Sequence, residues 1–261
     1  SSATIGIYTL ASRVLGFLRD VTIASSLGAS FISDAFFVAF KLPNFLRRLF
    51  AEGAFNAAFV PLYAGAVAAE GQEKATKFAS EAMSLLLVIL FVVTGIFIVF
   101  MPWMMVILAP GFADNPTKYD LTVALTRITM PYIIFISLVS LLGGILNSSH
   151  KFAAVAATPI LMNLSLIIVP SLVDNWTPTA AHALAIAVFV AGVVQWIWLV
   201  YFCTKQGLLP RLVKPKMTPQ VKRLLLLIGP AALGAGVAQI NLFIDLIIAS
   251  QFDSGVSYLY Y

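Results

Sequence analysis

Several apolar runs in this chain are longer than the roughly 18–20 residues that an α-helix needs to cross the hydrocarbon core of a bilayer. That length is what most limits the fold. Lipid offers the backbone no hydrogen-bond partner, so such runs must satisfy their own N–H and C=O groups as helices. Composition agrees: 61% of the 261 residues are hydrophobic and 10% are charged, with a mean hydropathy of +0.97. A soluble domain carries roughly 25% charged residues. The expected fold class is therefore all-α, a polytopic membrane helical bundle.

Hydropathy and breaker residues divide the chain into seven spans and the start of an eighth. They fall near residues 3–28, 31–68, 76–109, 118–148, 152–173, 179–204 and 218–250, and the eighth begins around Ser254. The expected organisation is a six-helix lobe over 1–206, a basic linker over 207–217, and the incomplete start of a second lobe over 218–261. The first residues, Ser1-Ser2, and the stop at Tyr260-Tyr261 read as those of a fragment.

Loop charge sets the expected orientation. Lys74, Lys77, Lys151 and the stretch Lys205, Arg211, Lys214, Lys216, Lys222 and Arg223 occupy the even-numbered loops. The odd loops hold Lys118 alone, accompanied by Asp114, Asp120, Asp174 and Asp253. The positive-inside rule makes the even loops and the N-terminus cytoplasmic. The 205–223 stretch reads as a topology signal in contact with lipid headgroups.

The second span exceeds a straight crossing. As one helix, residues 31–68 would extend about 57 Å at 1.5 Å per residue. Pro43 and Pro61 offer places to bend it.

The informative residues are ionisable groups within the spans: Arg13, Arg19 and Asp20 in the first; Asp34, Lys41, Arg47, Arg48 and Glu52 in the second; Arg127 in the fourth; and Asp245 in the seventh. Each central charge costs roughly 2.5–3.5 kcal/mol on an insertion scale. Six cations facing lipid would cost on the order of 15–20 kcal/mol, so most are expected to line a hydrated cavity. Arg13 and Asp20 share a face, and Asp34, Lys41, Arg48 and Glu52 fall on one stripe at helical spacing. Arg47 lies off that stripe, yet Pro43 can shift the register, so periodicity leaves Arg47 and Arg48 open. Arginine outnumbers lysine in this set, and a guanidinium fork fits phosphate or carboxylate bidentately. A large anionic substrate such as a diphosphate-bearing lipid follows; a cation exporter would want the opposite sign. Some members are expected to pair structurally, Arg13 or Arg19 with Asp20 or Glu52. Asp245, a carboxylate in an apolar run, is equally a buried hydrogen-bonded acid or a site for a cation or proton.

Other chemistry finds little support. His150 and His182 sit at loop edges without HExxH spacing, and neither a GxSxG elbow nor a P-loop is present. No enzyme activity and no cofactor beyond a coupling cation are expected. Cys203 is the one cysteine and matches no zinc spacing. The cations lie beside or inside spans, which makes no groove for nucleic acid.

At these residues a resemblance emerges. Ser12-Arg13-Val14-Leu15-Gly16-Phe17-Leu18-Arg19-Asp20, Asp34-Ala35-Phe36-Phe37-Val38-Ala39-Phe40-Lys41-Leu42-Pro43-Asn44 and Phe45-Leu46-Arg47-Arg48-Leu49-Phe50-Ala51-Glu52-Gly53-Ala54-Phe55 resemble the first two helices of the MurJ (MviN) lipid II flippases. Weaker similarity runs through Ala109–Asp114, Gly144–Asn147, Gly229–Ala231 and Ser257–Tyr261. The resemblance implies a MATE-like (MOP) transporter fold with two lobes around a central cavity. It implies transfer of lipid II, the undecaprenyl-diphosphate-linked peptidoglycan precursor, across the bacterial cytoplasmic (inner) membrane by alternating access.

By the same resemblance Arg13, Arg19 and Arg47 correspond to cavity arginines that engage the diphosphate. Ser12, Asn44, Arg48 and Ser257 complete the candidate substrate contacts. Asp20, Asp34, Lys41 and Glu52 form a gating or salt-bridge set, and Asp245 matches a sodium-ligating position in some members. Partners implied are lipid II, membrane lipids, and cell-wall synthesis or division proteins. Rival readings are a flippase for another undecaprenyl-linked glycan, a MATE-type exporter, and a non-transporting scaffold of cell-wall synthesis.

Overall fold

The computed structural model describes residues 2–252 and 254–260, with side chains described at 6–48, 53–234, 236, 241, 244–252 and 254–259. Its elements are α1 (Ser2–Leu27), α2 (Phe31–Leu46), a π-helical segment (Arg47–Phe55), α3 (Asn56–Glu70), α4 (Gln72–Leu108), α5 (Pro116–Thr129), α6 (Tyr132–Ser148), α7 (Phe152–Ala156), α8 (Thr158–Val173), α9 (Ala180–Lys205), α10 (Pro219–Ala249) and α11 (Gly255–Tyr260). Among the described residues there is no strand, so the all-α expectation holds.

Among the described residues, four helical stretches are long and apolar enough to cross a membrane: Gln72–Leu108, Pro116–Ser148, Phe152–Trp176 and Ala180–Lys205. Along α4 the side chains of Phe91, Val92, Ile96, Val99, Trp103 and Ile107 are exposed, as a lipid-facing surface requires. Helices α1, α2–α3 and α10 supply the remaining spans, and the cavity cations lie on α1, α2 and the π-helical segment. Helix α9 packs on α6 and α8, α2 packs on α5, α1 on α8, and α10 on the π-helical segment. The close approach of α6 and α9 needs Gly192, where a Cβ would come within 2.8 Å of the Tyr132 ring. Beside the π-helical segment, Phe59 stacks between Phe55 and Tyr63 and against Phe78, at centroid distances of 5.1, 5.6 and 5.7 Å respectively.

The second span is interrupted by a π-helical stretch that lies between Pro43 and Pro61. Lys41 and Arg48, seven residues apart, both line the cavity across the start of that stretch, whereas Asp34, on the same stripe but nearer the start of α2, lies outside its lining. The prolines leave a second trace. A proline at position i cannot donate to the carbonyl at i−4, and in lipid that carbonyl needs another donor. Pro43 frees the Ala39 carbonyl, which accepts the Thr129 hydroxyl of α5 at 2.7 Å. Pro102 frees Ile98, which accepts Nε–H of Arg127 at 3.0 Å. Pro159 frees Val155, which accepts the Thr158 hydroxyl at 2.8 Å. Arg127, expected from sequence to join the cavity cations, is thereby corrected: its exposed side chain serves the carbonyl freed by Pro102 in α4 and lies outside the cavity lining.

Between α9 and α10 the chain runs without regular structure, yet it is fastened to α4. The N–H groups of Arg211 and Val213 donate to the hydroxyls of Ser80 and Ser84 at 3.0 and 2.9 Å. The Thr218 hydroxyl donates to Glu81 Oε2 at 2.9 Å. Arg211, Lys214 and Lys216 remain exposed, available to headgroups.

The proline–hydroxyl pairing yields a double-mutant test. Thr129→Val should lower stability by about 1–3 kcal/mol, the cost of an orphaned buried acceptor. Adding Pro43→Ala should recover much of that loss, because the restored N–H at position 43 takes the Ala39 carbonyl. Thermal unfolding in detergent measures both; strictly additive losses would refute the pairing.

Candidate functional site

Two polar regions lie at opposite depths. The first is a cavity of about 760 Å³. Helix α1 contributes Ser12, Arg13, Gly16 and Arg19; α2 contributes Phe40, Lys41 and Asn44; the π-helical segment contributes Arg47 and Arg48. Its lining continues to Asn147 at the end of α6 and to Val155 and Thr158 around the start of α8. It therefore runs from mid-span towards the end that carries the basic loops.

Five cations line this cavity against a single acid, Asp245, among the described residues. Arg13 and Arg48 are exposed and make no hydrogen bond or ion pair among those residues. Arg19 is held instead. Its Nε and Nη2 donate to Asp20 Oδ1 at 2.9 and 2.7 Å, and its Nη1 donates to Asn163 Oδ1 at 2.9 Å. The Asn163 amide in turn donates to the Ser12 carbonyl at 2.9 Å, tying α1 to α8. Arg47 Nε donates to Asn44 Oδ1 at 3.3 Å, and Asn44 is itself set by donation to the Phe40 carbonyl at 2.9 Å. Both Arg47 and Arg48 reach the cavity, because the π turn widens the arc that faces it. Asp245 lies near enough to Lys41 to act on its charge.

The second region is a buried plug at the other end, where α2, α5 and α11 begin. A reciprocal capping box between Ser30 and Ser33 starts α2 and sets Asp34 in its first turn. Asn115 caps α5, with Pro116 at the first helical position, and sets Lys118 one turn in. Lys118 Nζ meets Asp34 Oδ2 at 2.6 Å and lies 4.0 Å from the centroid of the Phe112 ring. Asp34 Oδ1 accepts the Ser257 N–H at 2.7 Å and its hydroxyl at 2.5 Å, and Ser257 also contacts Ser33 Oγ at 2.6 Å. Asp34 and Ser257 are fully buried. Nearby, Gly111 approaches Ser250 so closely that a Cβ would lie 2.2 Å from its carbonyl oxygen.

The sequence-derived set thus divides. Ser12, Arg13, Arg19, Lys41, Asn44, Arg47, Arg48 and Asp245 share the cavity. Asp20 sits beside it as the partner of Arg19. Asp34 belongs to the plug, and so does Ser257, expected among the substrate contacts: a serine at the start of α11 lies at the plug's depth. The Glu52 side chain lies outside the described residues. Sequence reasoning missed Asn56, Asn163 and Gln195 on the cavity wall. Their signal was an uncharged amide in an apolar run, as in Met162-Asn163-Leu164 and Val194-Gln195-Trp196.

Comparison with known proteins places these features in a family. The family model for the lipid II flippase MurJ matches residues 23–261. A probable lipid II flippase MurJ of Rhizobium tropici is 43% identical, over 99% of this chain and 49% of its own length. The lipid II flippase MurJ of Burkholderia cenocepacia is 39% identical, over 99% of this chain and 51% of its own length. The chain spans about half the length of the curated relatives it matches. Among solved structures, a lipid II flippase MurJ in an inward closed conformation superposes with a TM-score of 0.81 at 30% identity, over 98% of this chain and 53% of that one. A MOP superfamily transporter from Pyrococcus furiosus shares the fold, with a TM-score of 0.72 at 16% identity, over 98% of this chain and 57% of that one. The chain is a membrane protein with the MOP transporter fold, and it belongs to the MurJ lipid II flippase family.

Proposed function

We propose that the protein containing this chain moves lipid II across the bacterial cytoplasmic membrane by alternating access, with the N-terminus on the cytoplasmic side. One observation carries the reading: Arg13 and Arg48, permanently charged, line an intramembrane cavity with no partner among the described residues. An unpaired charge at that depth is costly, and an anionic ligand relieves the cost. A diphosphate suits the need, since it offers acceptor oxygens in the planar spacing that guanidinium forks read. The names and likeness of the relatives favour the same substrate.

In this reading the cavity takes the headgroup from the basic-loop side while the polyprenyl tail stays in lipid. Arg19, held by Asp20 and Asn163, presents a fixed donor; Arg13 and Arg48 are free to close on the phosphates. The Asp34–Lys118–Ser257 plug seals the far end, and outward opening must separate Ser257 from Asp34. That separation strands an acceptor, so substrate binding has to offset it. Coupling to sodium or a proton through Asp245 is the finer part of the proposal. A lone carboxylate beside Lys41 does not by itself compose a sodium shell, and no step here depends on an ion.

Two outcomes are expected. In native mass spectrometry of the intact protein, Arg48→Ala should weaken lipid II binding roughly tenfold or more. Arg48→Lys should fall between the two, because a point charge replaces a fork; wild-type retention by Arg48→Ala would remove charge capture from the mechanism. For the plug, Lys118→Met should raise labelling of Ser33→Cys by a membrane-impermeant thiol reagent applied from outside, over the background of the same protein with Ser33 intact; Cys203 is buried. Unchanged labelling would mean that the ion pair does not hold the plug shut.

A further inference from the structure

We infer that the cavity contains a second subsite, built on Gln195 of α9 and Asn56 of α3, that accepts hydrogen bonds from the glycan part of the headgroup. The inference rests on the reading of the cavity as a diphosphate-lipid site and extends it to the portion that the arginines cannot read.

Gln195 is 3% exposed and lines the cavity. Its Nε2 donates to the Thr158 carbonyl at 2.7 Å. That carbonyl can only accept, so the orientation of the amide is fixed and Oε1 is the atom left over. Oε1 is buried and has no partner among the described residues. Asn56, on the same lining, likewise buries an unpartnered Oδ1. Asn163 makes the contrast: its Oδ1 accepts from Arg19 and its Nδ2 donates to Ser12, so both ends are used. Buried polar atoms are satisfied as a rule, and each exception calls for a cause.

The two orphans are both acceptors, which limits what they can meet. A diphosphate ester is fully ionised near neutral pH and carries no donor, so it cannot satisfy them. The complementary group must bring O–H or N–H, as sugar hydroxyls and acetamido groups do. Placement supports the division. The cavity arginines lie on α1 and the π-helical segment, whereas Gln195 projects from α9, which contributes no charge to the lining. The space is sufficient, because a cavity of about 760 Å³ lies within the range of about 300–1,000 Å³ that takes a drug-sized ligand, far more than a diphosphate fills.

Native mass spectrometry of the intact protein tests this with two probes, lipid II and undecaprenyl diphosphate, which lacks the glycopeptide. Gln195→Met should weaken lipid II about five- to tenfold, the worth of one or two hydrogen bonds, and leave undecaprenyl diphosphate within about twofold of wild type. Asn56→Ala should show the same split and guards against a folding defect at position 195. Equal weakening of both probes, or no change in either, overturns the glycan subsite. Arg47→Ala separates the two claims: it should weaken both probes. If it weakens neither, the charge-capture reading fails; if it weakens both while Gln195→Met and Asn56→Ala show no split, only the subsite fails.

Discussion

A backbone carbonyl deprived of its helical partner in lipid has no water to turn to, and this constraint organises much of the structure. Prolines interrupt the ladder inside α2 and α4 and stand in the first turn of α8. The carbonyls freed by Pro43, Pro102 and Pro159 each have a compensating donor: Thr129, Arg127 and Thr158. Two of those donors sit on α5, which also carries Lys118. Helix α5 thus grips α2 at two levels, by an ion pair near its start and a hydroxyl-to-carbonyl bond near its end. The segment leading to Lys41, Asn44 and the paired arginines is positioned by those two holds.

Charge is sorted by depth. The plug neutralises its charges internally: Lys118 has Asp34 and the face of Phe112, and Asp34 has two further donors from Ser257. A buried pair repays its desolvation only when its remaining lone pairs are satisfied, and here they are. The cavity does the reverse: Arg13 and Arg48 have no carboxylate partner among the described residues and lie where a ligand can reach them. Had Asp34 faced the cavity, as its place on the helical stripe suggested, it would have cancelled part of the field that an anionic lipid needs.

The helical class, the spans and the cavity arginines were legible in the sequence because each rests on a local signal: apolar run length, loop charge, or a charge within a run. The fate of Asp34 and Ser257 was not, because their bond joins residues 223 positions apart. Arg127 misled for a related reason. A cation in a span signals a wet cavity only if no freed carbonyl needs it, and the carbonyl in question lies on α4. The choice between Arg47 and Arg48 dissolved, since periodicity assumes a fixed helical pitch and the π-helical segment departs from it. Asn163 and Gln195 lacked the charge that draws attention, although an amide in an apolar run already asks what it bonds to.

The stitched strap between α9 and α10 has a mechanical consequence. With Arg211, Val213 and Thr218 tethered to Ser80, Ser84 and Glu81, the connection holds no slack along most of its length. A tilt of α10 then pivots at Pro219, close to the foot of α4, so the arc swept at the far tip is set by helix length. Extra residues between Gln206 and Leu209 would enlarge a surface loop without lengthening the stroke.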